Sequence, residues 1–172
     1  MNIFALHADP VIAAQSQCDK HVIKQSLESC QLLSTAHRVL DGALVVKPRK
    51  QYQLNDTRDS ILYKATHVNH PSTVWARSHV ENYRWLLNHT ESLLDEYSYR
   101  YGKIHACARL IPHLRVLPSN ISSDPSYKFK LSVAMKDEYK VGSNPVEMYR
   151  HYYREAKKGF ATWKRRNPPT WW

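Results

Sequence analysis

Asp19, Lys20, His21, Lys24, Gln25 and Glu28 lie within ten consecutive residues of this chain. Residues three or four apart share one face of a helix. His21, Gln25 and Glu28 therefore line up, with Lys24 beside them. Ile23, Leu27, Cys30 and Leu33 fall on the other side, where a core is expected. The polar side joins an acid, a potential base and two hydrogen-bonding groups, the set a catalytic site uses. The bland alternative is a salt-bridged surface glutamate. Lys20 and Lys24 then either hold the carboxylate ionised or are ordinary surface charge.

Other stretches suit an anionic ligand. Asn69-His70-Pro71 stands at a helix start, where free N–H groups and the positive end of the dipole favour phosphate; capping alone also explains it. Arg100 and Lys103 interleave with tyrosines and are expected to reach solvent or phosphate. The segment from Met148 to Trp172 carries Arg150, Arg154, Lys157 and Lys164 among Tyr149, Tyr152, Tyr153 and Trp163. That density of positive charge exceeds what solubility needs and reads as a phosphate-backbone surface. His67 with His70, or His105 with Cys107, could ligate a metal, but neither spacing resembles a tetrahedral site. No metal and no other cofactor is expected.

The elements that position these groups are mainly helical. Asp9-Pro10 is a cap followed by proline, opening a short helix over Val11–Gln17 after an extended lead-in from Met1 to Leu6. Asp19 is expected to cap a second helix that stops at Asp41-Gly42. Residues 43–68, with Pro48 and the basic Lys47, Arg49 and Lys50, read as a long surface loop. Apolar residues at helical spacing run from Pro71 to a stop at Gly102. A third long helix is expected over Lys103–Leu117, with Pro112 as a kink. Asn144-Pro145-Val146-Glu147 is a capping box that opens a helix to about Lys158. The expectation is an all-α fold, one domain over residues 1–172 with three to five helices and long loops.

Bulk composition agrees with a nucleic-acid ligand. The 172 residues carry a formal charge of +10, with 11 Tyr and 5 Trp that can stack on bases. No run of about 18 apolar residues is present, so no membrane span is expected. The start of the chain does not read as a signal peptide. Three cysteines without CxxC spacing suggest a reducing cytoplasm rather than a disulfide framework.

Asp19, His21 and Glu28 form an Asp-x-His-x(6)-Glu pattern. With Lys20, Lys24 and Gln25, with His70-Pro71 before Trp75, and with the basic aromatic C-terminal end, it resembles the pyrimidine-dimer DNA glycosylase family of the endonuclease V type. Most of the chain is also similar to uncharacterised phage proteins that begin Met-Asn-Ile-Phe. The resemblance implies an all-α enzyme without a metal, whose N-terminal amine attacks the sugar C1′. It implies that Glu28 assists base release and strand cleavage, and that His21 lies on the DNA-facing side of the helix. An α-amine is partly unprotonated near neutral pH, so imine chemistry suits it. Family members in phages expose a small second residue after methionine is removed. Asn2 is large and favours retention of Met1, whose amine then becomes the nucleophile.

The resulting expectation is a base-excision enzyme, a glycosylase with or without abasic-site lyase activity, acting on a damaged or modified pyrimidine. Glu28, His21, Met1 and Asn2 form its catalytic set. Lys20, Lys24, Gln25, Asn69, His70, Arg100, Lys103, Arg150, Arg154, Lys157 and Lys164 bind double-stranded DNA. The protein is expected to be a cytoplasmic monomer, in a bacterial host if phage-encoded. Two rivals stand beside it: a nucleic-acid-binding protein without activity, and an enzyme that modifies bases or nucleotides on the same scaffold.

Overall fold

Asp9 accepts hydrogen bonds from the N–H groups of Val11 and Ile12, at 2.8 and 3.0 Å. With Pro10 at the first position, it starts α1, Pro10–Ser16. The computed structural model describes residues 1–46, 48 and 50–172. A second helix, α2, spans Asp19–Asp41. Strands β1 (Ala43–Val45) and β2 (Gln51–Gln53) then pair antiparallel, with Leu44 opposite Tyr52. The helices α3 (Arg58–Ile61), α4 (Pro71–Ser78), α5 (Val80–Tyr101), α6 (Ile111–Leu114) and α7 (Pro145–Lys157) follow. The described residues thus hold seven α-helices and one small sheet, a mainly helical fold with more helices than the three to five expected.

The core lies where α2 and α5 pack along each other, with α1 against α5 and α4 against α2. Leu32, Leu33, Tyr83 and Leu86 are buried there. Tyr149 and Tyr153 of α7 join the same cluster, as does the N-terminal arm through Ile3, Phe4 and Leu6. No helix among the described residues is long and apolar enough to cross a membrane.

Three expectations about elements are corrected. Residues 43–68 are not simply loop. The fully buried guanidinium of Arg38 holds this region, donating to the carbonyls of Tyr52, Asp59, Leu62 and Tyr63 and pairing with the Asp59 carboxylate. The backbone at Gly42 runs so close to this hub that a Cβ would lie 2.5 Å from the Arg38 carbonyl oxygen. Lys47 and Arg49 of the expected basic triplet lie outside the described residues. The run from Pro71 to Gly102 is two helices. His79 adopts extended backbone between them, and its ring accepts from the Glu81 N–H. Gly102 ends α5 in the left-handed conformation, at φ 65°. Lys103–Leu117 forms one 3-10 turn and the short α6, not a long helix.

Arg38 gives a stability prediction. Arg38→Leu leaves four carbonyls without their donor and takes from the Asp59 carboxylate its buried partner, and removing one partner of a buried pair costs about 3–5 kcal/mol. Urea unfolding is expected to show that loss. A change within about 0.5 kcal/mol, typical of surface substitutions, would rule out the hub.

Candidate active site

The N-terminal arm crosses one face of α2 and brings Met1 and Asn2 to Glu28. The Asn2 N–H donates to Glu28 Oε2 at 3.3 Å, and Gln25 Nε2 donates to the same oxygen at 3.0 Å. Lys24 Nζ lies 3.4 Å from Glu28 Oε1. The carboxylate is mostly covered (14% exposed) while the Lys24 ammonium is largely in solvent (64%). Among the described residues no carboxylate forms an ion pair with the Met1 amine. The Met1 side chain is docked, its sulfur accepting from Thr73 Oγ1 on α4 at 3.8 Å.

The polar and apolar sides of α2 are not disposed as its sequence suggests. His21 and Gln25 point inward, under the N-terminal arm. Ile23 and Leu27, expected in the core, are 42% and 37% exposed, whereas Cys30 and Leu33 are buried. The His21 ring stacks on Phe4, with centroids 4.3 Å apart, and its Nδ1 lies 2.5 Å from the Tyr153 hydroxyl. Burial, with help from Lys157 and Lys24, pushes the His21 pKa down to about 3. Its imidazole is therefore neutral at physiological pH. It supports the arm rather than carrying charge.

Met1, Asn2, Phe4, His21, Lys24, Gln25 and Glu28 line a cavity of about 310 Å³. Ala134, Met135, Lys136, Tyr152 and Lys157 close its other side. The Lys157 ammonium lies 4.4 Å from the Tyr152 ring centroid and 5.8 Å from that of Phe4. His70 sits nearby at the start of α4, where its Nδ1 accepts from the Ser72 N–H at 3.2 Å. It therefore takes the capping role that Asn69 could have filled. Burial lowers the His70 pKa, as do the Met1 ammonium and His67, while Glu28 acts the other way. Met1 and Glu28 thus both act on His70 electrostatically.

A family model described as pyrimidine dimer DNA glycosylase matches residues 1–109, more than half of the chain. The chain belongs to that family. No curated protein and no solved structure matches it. The stretch matched to the glycosylase family includes the amine, Glu28 and the α4 start. Residues 134–136, Tyr152 and Lys157 lie beyond the match yet complete the cavity.

Not every residue expected at the DNA surface reaches it. Arg100 is fully buried. It pairs with Glu96 at 2.6 Å and Asp19 at 2.9 Å and donates to the Gln15 carbonyl, so it cannot contact phosphate. Asp19 is not a cap either. Cys18 occupies the cap position, and the Asp19 carboxylate instead accepts from Arg100, Thr162 Oγ1 and the Lys164 N–H. It ties the C-terminal segment to the start of α2. Arg150 donates to the Leu6 carbonyl and pairs with Glu147, and Arg154 donates to the Trp171 carbonyl. Lys20, Lys103 and Lys164 are exposed, with Lys20 over the Phe160 ring and Lys164 over that of Tyr101. Asn69 lines a separate cavity with Lys50 and Tyr52. Among the described residues no three of His, Cys, Asp and Glu converge as a metal cluster would need.

Sequence reasoning missed Phe4 and the segment 134–136. Phe4 looks like any apolar lead-in residue, and the segment has no periodicity. The adjacent tyrosines of α7 were the one available signal, since helical geometry sends Tyr153 into the core and Tyr152 to the cavity wall.

Proposed function

We propose that this protein excises a damaged pyrimidine from double-stranded DNA, with the Met1 amine as nucleophile and Glu28 as the group that moves protons. The observation that carries this reading is the meeting of the first two residues with Glu28, which lines one cavity with Met1 and whose Oε2 accepts from the Asn2 N–H. Family membership supports a glycosylase and makes the pyrimidine dimer the first substrate to test.

The chemistry follows from the two groups. The unprotonated amine attacks C1′, and the glycosidic C1′–N bond breaks with its electron pair leaving on the base, which takes up a proton. Opening of the sugar ring, with O4′ protonated, gives an iminium between Met1 and C1′. Removal of a C2′ proton then expels the 3′ phosphate and cuts the strand. Glu28 stabilises the cationic states and accepts protons, which a carboxylate among donors in a half-closed site is suited to do. Lys24, Lys136 and Lys157 surround the cavity with positive charge for the flanking phosphates. The neutral His21 holds the arm.

Borohydride reduces an iminium to a stable amine and so tests the reading. Incubation with a duplex carrying a thymine dimer or an abasic site is expected to yield a covalent adduct. Acetylation of the N-terminus is expected to abolish it. Base release without any adduct would replace the amine by water and make the enzyme a glycosylase alone. Tight, salt-sensitive binding without product would favour the binding-protein reading.

A further inference from the structure

Asn2 is tied down at every polar atom save its carbonyl. Its side-chain oxygen accepts from the Ile3 and Phe4 N–H groups at 2.8 and 3.2 Å. Its side-chain nitrogen donates to the Ala134 carbonyl at 2.6 Å. Its backbone N–H is the one that meets Glu28. Ala134 is itself held, since its N–H donates to the hydroxyl of the buried Tyr149 at 3.1 Å. One side chain therefore links the N-terminal arm, the 134–136 segment and α7.

The turn that follows is strained. Phe4 has φ 44°, a left-handed conformation that is costly for a non-glycine residue. Such a backbone persists only where its surroundings impose it. The Asn2 oxygen on the Phe4 N–H, the Leu6 N–H on the Phe4 carbonyl and the His21 ring against Phe4 supply that constraint. A free N-terminus would sample many directions. Here residue 2 is fixed in position and tilt, which leaves the Met1 amine only its own residue's rotations.

We propose that Asn2 is the positioning residue of the reaction, aiming the Met1 amine beside Glu28 through its bond to Ala134, a residue outside the family-matched stretch. The inference rests on the amine reading above. It also gives the large second residue a purpose: it favours retention of Met1 and clamps the residue behind the nucleophile. An alanine or serine at position 2 would invite removal of Met1 and confuse the test. Asn2→Leu keeps similar bulk and the methionine, which the intact mass verifies, and deletes both side-chain functions. Asn2→Asp keeps the acceptor for Ile3 and Phe4 but cannot donate to Ala134.

The test is borohydride trapping on an abasic-site duplex at saturating protein, with affinity measured separately by anisotropy and folding by thermal unfolding. Asn2→Leu is expected to trap on the order of 10²-fold more slowly, the usual cost of misplacing a reacting group by about 1 Å. Its affinity is expected to stay within about twofold and it is expected to remain folded at the assay temperature; Asn2→Asp is expected to lie between the two. Wild-type trapping with equally fast trapping by Asn2→Leu would overturn the positioning role and leave the amine reading intact. A slow variant that is also unfolded or fails to bind would reduce Asn2 to a structural residue and overturn it too. No adduct with either protein would overturn the amine reading itself.

Discussion

Glu28→Gln is expected to lower single-turnover base release by about 10²–10⁴-fold, the range a positioned acid or base supplies. The substitution preserves shape. An amide oxygen can still accept from the Asn2 N–H and from Gln25 Nε2, the two donors that meet Glu28 Oε2. The other carboxylate oxygen faces the Lys24 ammonium, which is largely in solvent and can turn away at little cost. The fold and the N-terminal arm should therefore survive. What is lost, on the proposed mechanism, is the negative charge that would stabilise a cation at C1′ and the ability to take a proton. DNA affinity is expected to hold or to rise, because one negative charge leaves a basic cleft. The measurement is base release from a thymine-dimer duplex with protein in excess, beside anisotropy on the same duplex. Turnover within about threefold of wild type would remove Glu28 from the mechanism. Equal losses of binding and turnover would make it a structural residue instead.

The site was more legible than the path of the chain around it. Helical spacing alone put His21, Gln25 and Glu28 on one face, and α2 does present all three to the cavity. Spacing cannot say which face of a helix meets the protein. That depends on what else packs there, and here the N-terminal arm covers the polar side while Ile23 and Leu27 remain exposed. Arg38 and Arg100 show the same difficulty in another form. Arginine is read as surface because burying it is costly. Carbonyls and carboxylates from distant segments offset that cost for both residues, and the one local partner, Glu96 a turn before Arg100, does not announce them. Helix ends signalled by glycine or proline were readable, as at Gly102 and Pro145. The break at His79 was not, because neither residue marks it and a ring nitrogen caps the new helix.

Stability is expected to fall steeply between about pH 6.5 and pH 4, through three buried histidines. Burial lowers the pKa of His21 to about 3, helped by Lys157 and Lys24. Burial alone lowers that of His89 to about 3, and burial with Arg58 lowers that of His37 to about 4. In the unfolded chain each titrates near 6.5. Above that value both states are neutral and the stabilisation is complete. Below it the unfolded chain binds protons that the folded protein refuses, so stability falls with pH until the folded pKa values are reached. Each histidine contributes about 1.4 kcal/mol per pH unit at full slope, and three give about 4 kcal/mol per unit. Two of them also hold the N-terminal arm. His21 stacks on Phe4, and His89 Nε2 lies 3.2 Å from Gln17 Nε2, which donates to the Ile3 carbonyl. Acid should therefore loosen the N-terminal arm from Glu28 as it destabilises the fold. Urea unfolding from pH 7 to pH 4 measures the slope, and an uptake near three protons on unfolding at pH 5 is expected. An uptake below one would mean that these imidazoles are protonated in the folded protein, and the neutral His21 beneath the arm would have to be abandoned.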